Sequence, residues 1–439
     1  MKYFRCLLSL ACILPFAIRL NAQTPADTLV VDLEQCTAFA LQNSPLLQRS
    51  LLDKEITEQG IKSKLADWYP QLRFDGSYQH NFQLSVNNIN GQIIKLGKAN
   101  TSSGQLSLTQ NIFTPDILLA SSTAAPVRKQ ALQNVEATKI DLTVNVAKAF
   151  YDVLLTRDQI KVLDENIVRL ERSLQDAYNQ YEVGIVDKVD YKRATISLNN
   201  TKAERKTANA ALNAKYAYLK MQMGLPDTVG IKLAYHTEDL RTLAVADTSG
   251  TLALQNRIEY QQLLTQKRLQ ELNYDYYKWQ FAPTVSAYGN YNLNYINDNL
   301  SGLYKDNYPN SYAGIKLGVP IFQGMKRIRN IRQAKMQMDR VDLDLEQVAL
   351  SVNNEVNQAI AAYKGYLNDY NALKENVEIA RDVFNTIELQ YKAGVKTYLE
   401  VITAQTDLRT AEINYNNALY QLLAAKYDLQ RALGTVTIK

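Results

Sequence analysis

The side chains able to do bond chemistry are few, and they do not converge. The 439-residue chain holds two histidines. His80 falls on the apolar row of an alternating segment, and His236 falls in the stretch that links two halves of the chain. Glu238 and Asp239 follow His236, but no second His or Cys is near, whereas zinc takes four convergent ligands in a structural site. No glycine-rich phosphate cradle occurs, which excludes direct use of ATP through such a loop. Acid pairs are plentiful without a fixed arrangement, and Glu58 with Lys62, four apart, reads as a solvated helix pair. Met221 with Met223 and Met336 with Met338 are too thin to argue a copper path. These residues assign no catalytic role, no cofactor and no metal.

What does recur is a pattern. Tyr181-Glu-Val-Gly184-Ile-Val-Asp-Lys-Val-Asp190 matches Tyr391-Lys-Ala-Gly394-Val-Lys-Thr-Tyr-Leu-Glu400, 394 − 184 = 210 positions later. Leu108-Thr-Gln-Asn-Ile-Phe113 returns as Leu317-Gly-Val-Pro-Ile-Phe322, and Met223-Gly224 as Leu433-Gly434. Solenoid repeats run about 20–50 residues, so this is one subdomain duplicated. In both copies the polar residues fit a helix start. Asp187 or Thr397 would be the N-cap, and Asp190 or Glu400, three later, would favour the first turn. Gly184 and Gly394 suit the left-handed position after a preceding helix.

The elements that carry these turns are long helices. From about 115 to 182 no Gly interrupts the chain, and Val127, Ala131, Val135, Leu142, Val146, Ala149 and Val153 mark one helical face. The counterpart runs from about 325 to 392, with Gly365 inside it at a cost of about 1 kcal/mol. Each would be about 100 Å long at about 1.5 Å per residue. Returning helices cover about 187–222 and 397–432. Shorter helices, one starting at Asn43-Ser44-Pro45 and one spanning 258–280, would complete each returning limb end to end. Two hairpin rods per chain result, each with one continuous and one broken limb.

Four segments between the helices have period two instead: about 71–85, 104–113, 284–297 and 311–322. Leu72, Phe74, Gly76, Tyr78, His80, Phe82 and Leu84 alternate with polar residues, and Tyr288 breaks the same rule in the third segment. Asn/Gly/Ser-rich loops, about 86–104 and 298–310, join each pair. The length and alternation suit an outer-membrane β-barrel, which needs about 9–11 residues per crossing. A soluble antiparallel sheet with one buried face alternates in the same way. Trp68 and Trp279, placed before the first strand of each half, and the tyrosines Tyr69, Tyr276 and Tyr277 beside them, suit a membrane–water boundary. Four strands cannot close, and an open edge in lipid leaves backbone groups unpaired, so the barrel reading requires several copies. Thr228-Val-Gly-Ile-Lys232 and Thr435-Val-Thr-Ile-Lys439 echo each other as short collar strands.

The N-terminus places the chain outside the cytoplasm. Lys2 and Arg5, the apolar run Cys6 to Ile18 and Leu20-Asn-Ala22 form a secretory signal, residues 1–22. Ser9-Leu-Ala-Cys12 is a poor acylation site, because the sequence stays apolar after it. Removing the signal takes Lys2, Arg5 and Arg19 with it, so the charge falls from +5 to 5 − 3 = +2. No basic block suggests nucleic acid. Only Cys36 remains, which leaves no intramolecular disulfide. The organisation reads as a first repeat over 23–224, an equatorial linker over 225–250 and a second repeat over 251–439.

Leu33-Glu-Gln-Cys-Thr-Ala-Phe-Ala-Leu-Gln-Asn43-Ser-Pro45, Leu317-Gly-Val-Pro320-Ile-Phe322-Gln-Gly324 and the two Tyr-x-x-Gly turns resemble the TolC-like outer-membrane efflux family across essentially the whole mature chain. The resemblance implies a mostly α fold with a transmembrane β part. Duplicated helical hairpins would form a trimeric α-barrel, and four strands per chain would enter a shared 12-stranded barrel. It implies a homotrimer in outer-membrane lipid, a periplasmic adaptor and an inner-membrane pump of the RND or ABC kind. It also implies that the turns close the periplasmic end. Asp190 matches the acidic position of the first tip, Tyr391 and Lys396 its tyrosine and basic partners in the second, and Glu400 the first of two acidic lumen positions. Thr403 occupies the second of those positions, and Lys396 replaces the usual Arg, so a bidentate lock is not available. Capping alone remains a sufficient reading for Asp190 and Glu400. Drug efflux, metal efflux and type I protein secretion share this architecture. A soluble periplasmic coiled-coil scaffold and a secreted enzyme assembled from several copies stand as the other classes.

Overall fold

A computed structural model describes residues 29–89, 91–185, 187–235, 240 and 253–438. The secretory signal, His236, Glu238, Asp239 and most of the linker lie outside them. In chain order the elements are β1 (Leu29–Val31), α1 (Leu33–Asn43), α2 (Pro45–Leu65), β2 (Gln71–His80), β3 (Ser85–Ile89), β4 (Gln92–Leu96), β5 (Asn100–Phe113), α3 (Pro115–Glu182), α4 (Lys188–Met223) and β6 (Ile231–Leu233). After the linker come α5 (Ile258–Trp279), β7 (Thr284–Asn297), β8 (Asn310–Gly318), α6 (Lys326–Lys392) and α7 (Tyr398–Leu433). Among the described residues no helix is long and apolar enough to cross a membrane.

α3 and α6 have 68 and 67 residues, about 100 Å each at about 1.5 Å per residue. Their returning partners α4 and α7 have 36 residues each. α2 and α5 stack on those partners to complete the broken limbs. Below the joint the helices lie in the order α4, α3, α7, α6, and above it α2, α3, α5, α6. The joint itself is tight. α4 ends at Gly224 with φ 74, and a Cβ there would sit 2.5 Å from the Asn43 carbonyl oxygen. α7 ends in the same way at Gly434, against Asn256 at 3.0 Å. Only glycine combines the left-handed turn with that close approach.

The main core lies around this joint. Leu142, Val146, Val153 and Leu154 of α3 pack with Leu419, Leu422 and Leu423 of α7, with Cys36 and Ala40 of α1, and with Leu219 and Met223 of α4. Most of the periodic face read on α3 is buried there, Val135 and Ala149 included. Burial, with Asp32 nearby, pushes the Cys36 thiol up to about 12, so it packs as a small apolar side chain. The descending linker is pinned by one carboxylate. Tyr235 and Tyr420 donate to the two oxygens of Asp158 at 2.6 and 2.8 Å. Arg257, buried, binds Glu355 at 2.8 Å and the Ala432 carbonyl at 2.7 Å, and so ties α5, α6 and the end of α7 together.

Several expectations are corrected. The loop after β2 contains the β3–β4 hairpin. Its sequence signal is Asn90-Gly91 between Ser85-Val-Asn-Asn-Ile89 and Gln92-Ile-Ile-Lys-Leu96, a two-residue hairpin mark. Of the two collar strands, Ile231–Leu233 forms, pairing in parallel with Leu29–Val31. Residues 435–438 form no strand, because the Thr435 amide and hydroxyl turn back onto the Gln430 carbonyl. β8 ends at Gly318, just ahead of Pro320, which has no N–H to give to a ladder. Glu58 pairs with Arg128 across helices in a two-pronged contact at 2.6 and 3.0 Å, so the solvated Glu58–Lys62 pair is not its main interaction. That forked geometry aligns α2 on α3.

Gly224→Ala is expected to destabilise the protein by about 1–3 kcal/mol, from strain at positive φ and contact with Asn43. Gly365→Ala, in open space inside α6, is expected to stabilise it by about 0.5–1 kcal/mol. Thermal unfolding of both variants measures the contrast.

Candidate functional site: the membrane sheet and the tip turns

The sheet has four strands in the order β2-β5-β7-β8, all antiparallel. Its register carries the alternation across every strand. Leu72, Phe74 and Tyr78 pair with Leu108, Leu106 and Ser102. Those pair in turn with Gly289, Tyr291 and Tyr295, while Ala287 and Val285 meet Ile315 and Leu317. The opposite face holds Arg73, Asp75, Gln105, Asn290 and Asn292. Arg73 binds Asp75 at 2.9 Å, and Gln105 binds Asn290 at 3.3 Å. Leu72, Phe74, Ile315 and Leu317 are exposed, so among the described residues no second layer covers the apolar face. Tyr288, the exception to the alternation, lies on the polar face beside Tyr312 at 6.2 Å. His80 sits on the apolar row, with Nδ1 2.7 Å from the Asn100 side-chain oxygen. The loops at this end are tied by Lys98, which donates to Asp298 at 2.7 Å.

At the far end of the rods are the two repeated turns. Each closes with a Schellman motif. Gly184 N–H donates to Tyr181 O and Ile185 N–H to Gln180 O, at 3.0 and 2.9 Å, and Gly394 and Val395 repeat this with Tyr391 and Gln390 at 2.9 Å each. Gly184 and Gly394 have φ values of 77 and 76. The repeated Tyr-x-x-Gly thus places the tyrosine carbonyl where the glycine amide needs an acceptor.

The following helices start differently. Thr397 and Glu400 form a complete capping box, and Lys396 Nζ donates to Glu400 Oε1 at 2.6 Å. The Lys396 hydrogen bond, then the Thr397 amide and hydroxyl, hold the Glu400 carboxyl at about 2, below its ordinary 4.5. In the first turn Asp187 caps by accepting from Val189 N–H at 3.1 Å, and Asp190 sits in the first turn without closing a box. Tyr391 crosses between the hairpins and donates to the Gln180 side-chain oxygen at 2.9 Å. Burial, then the charges of Asp190 and Asp176, push its phenol up. The structure therefore brings Lys396 to Glu400 and Tyr391 to the first hairpin. Within one chain it does not join Lys396 to Asp190.

Sequence reasoning overlooked Tyr398 and Gln180. Tyr398 is buried between the hairpins, 5.8 Å from the Tyr391 ring, and its hydroxyl has no hydrogen-bond partner among the described residues. Higher on the wall, Glu412 accepts from Arg381 at 3.0 Å, while Arg169 approaches its other oxygen only to 3.7 Å. That second contact is an ion pair beyond hydrogen-bond range. Among the described residues no cluster of His, Cys, Asp and Glu could hold a metal ion.

Rods of this length carrying a sheet with a bare apolar face define a class, an outer-membrane channel protein with a helical tunnel below it. A family profile described as "Outer membrane efflux protein" matches residues 38–225 and 250–435, and the chain belongs to that family. It is 24% identical over 411 residues to outer membrane protein TolC of Vibrio cholerae, covering 91% of this chain and 89% of that one. It is 21% identical over 403 residues to the alkaline protease secretion protein AprF of Pseudomonas aeruginosa, covering 91% and 83%. The Campylobacter jejuni CmeC outer membrane channel superposes with a TM-score of 0.74 at 15% identity, covering 99% of this chain and 94% of that one. The family's members are channel proteins of the outer membrane, and the mostly helical fold with its small sheet is theirs.

Two outcomes are expected at the tip. Tyr391→Phe removes a satisfied bond and lowers stability by about 1 kcal/mol, whereas Tyr398→Phe removes an unsatisfied hydroxyl and leaves stability equal or higher; thermal unfolding separates them. The folded value for Glu400 lies below its unfolded one, so its contribution is present above about pH 4.5 and is lost as pH falls toward 2. Protection factors of the 397–401 amides, corrected for the pH dependence of intrinsic exchange, should fall over that window in the native protein and stay level in Glu400→Gln.

Proposed function

We propose that three copies of this chain form one outer-membrane export channel, with 3 × 4 = 12 strands in a shared barrel and the helices continuing as a periplasmic tunnel. The observation that carries this is the sheet: it is open at β2 and β8, and its apolar face is bare. Unpaired backbone in lipid costs several kcal/mol per group, so such a sheet must close on further copies. Two copies would give eight strands and a barrel filled by side chains, while three leave a bore. The helix edges support closure too. α2 exposes Leu52 and Ile56, and α6 exposes Met336, Leu343 and Leu350 at seven-residue spacing, the period of helix-on-helix packing.

In this reading the apolar rows face outer-membrane lipid, and Arg73, Asp75, Asn290 and Asn292 face water. A periplasmic adaptor and an inner-membrane RND or ABC pump deliver cargo to the tip. Asp190, Tyr391, Lys396 and Glu400 restrain the closed tip, and Gly184 and Gly394 shape its turns. Small molecules are the primary cargo class. The similarity to a protease secretion protein favours a second reading, a type I protein secretion duct. The bare apolar row argues against a soluble scaffold, and family membership makes the channel rather than an enzyme the working assignment.

Detergent-extracted protein is expected to show a three-copy mass and to form pores in planar bilayers. Asp190→Ala and Lys396→Ala should each raise single-channel conductance. Unchanged conductance in both variants rejects the tip restraint, and a detergent-free monomer without pore currents rejects the channel.

A further inference from the structure

The two open edges of the sheet end in unlike junctions. At the β2 edge the chain arrives from α2 through a tight turn, Ala66–Trp68, and leaves Trp68 46%, Tyr69 70% and Leu72 67% exposed. At the β8 edge it leaves Gly318 through Val319-Pro-Ile-Phe-Gln-Gly-Met325 before α6 begins at Lys326. In that segment Ile321 is 92% and Phe322 81% exposed. The matching residues of the first half, 110–113, lie instead beside β7 inside β5, which runs to Phe113 before Thr114 caps α3 and Pro115 opens it. The unpaired apolar stretch thus belongs to the edge strand alone.

The segment is held in place. Arg327, buried, donates to the Pro320 carbonyl at 2.5 Å and the Gln280 carbonyl at 3.2 Å, and its guanidinium lies 4.5 Å from the centre of the Phe281 ring. Gly324 and Met325 follow with φ values of 57 and 65. Large apolar side chains are therefore presented on a fixed backbone.

We propose that Ile321 and Phe322 of one copy dock on Trp68, Tyr69 and Leu72 of the next, forming an apolar latch where strands give way to helices. The inference rests on the assembly proposed above and names contacts that assembly does not itself require. Position argues for it: β8 and β2 are the free sheet edges, and α6 and α2 are the free helix edges continuing them. Pairing one copy's β8 with its neighbour's β2 brings the two junctions side by side. Chemistry agrees, because residues 319–322 carry no charge and the facing patch is aromatic and aliphatic, the composition of an anchor in its pocket. Lipid is the other possible cover, and continuity with the seam favours the neighbour.

Full-length Tyr69→Cys/Phe322→Cys protein, with each single variant as control, tests the latch by oxidation in detergent. Trp68→Cys/Ile321→Cys serves as a second pair. Cys36 stays silent, being buried with its thiol pushed up to about 12. The expected result is a covalent ladder on non-reducing gels from the paired variants and none from the singles, since a disulfide needs Cα atoms within about 7 Å. Phe322→Ser should also lower the temperature at which the trimer dissociates, while Ile93→Ser, on exposed β4, should not. A wild type that is trimeric by native mass, with neither pair cross-linking and Phe322→Ser dissociating normally, overturns the latch, and labelling of Phe322→Cys by a lipid-dissolved maleimide would then assign the segment to lipid. A monomeric wild type fails the assembly reading itself, and the latch with it.

Discussion

A β-strand in hydrocarbon must find a partner for every backbone N–H and C=O, and in the proposed channel the four-stranded sheet of each chain, open at both edges, cannot meet that requirement alone. Everything else is arranged around the deficit. The sheet is antiparallel with a two-sided alternation that Tyr288 interrupts, so it can present one face to lipid and one to water. Its two edge strands are its shortest, Gln71–His80 and Asn310–Gly318, while β5 and β7 inside it have 14 residues each. Edges left open in this way are hazards in a soluble protein; here they are where the proposed assembly closes.

Duplication supplies the second constraint. Two copies of a strand–helix–turn–helix unit must join without interrupting the wall. The solution is the joint at Gly224 and Gly434, where one helix ends against the carbonyl that starts the next. Two 36-residue helices and two shorter ones then match two continuous rods. The core concentrates at this joint, and the linker is pinned beside it through Asp158. Toward the tip the apolar clusters become smaller, and polar pairs such as Tyr391 with Gln180 and Lys396 with Glu400 join them. A region held by smaller clusters opens at lower free energy than the main core, which is what the proposed closable end needs. The halves are not equal in detail. The second turn has a complete capping box and the first does not, and only the second half leaves the residues before its long helix outside the strand.

Much of this was legible in the residues. Helices announce themselves through a face repeated every three or four positions, and α3 carried such a face from Val127 to Val153. Turn glycines and N-caps were legible because a left-handed residue and an amide acceptor are each demanded by a few side chains only. The hairpin at 85–96 was written in Asn90-Gly91 and overlooked beneath a polar composition. The end of β8 was written in Pro320. The parallel pairing of Leu29–Val31 with Ile231–Leu233 was not legible, because three-residue strands have no period to read and their partners lie 200 residues apart.

The sequence by itself determined the local geometry and the class: duplicated rods, alternating strands, two turns with matched glycine C-caps, and membership of an outer-membrane family. Those follow from periodicity and from side chains acting on their own backbone within a few residues. Only the tertiary structure decided which charges meet. Glu58 takes Arg128 rather than Lys62, and Tyr391 reaches Gln180 across the hairpins. Side-chain partners are chosen by distance in space, and in paired rods about 100 Å long that distance depends on how one helix is rotated and shifted against another, which no single segment encodes.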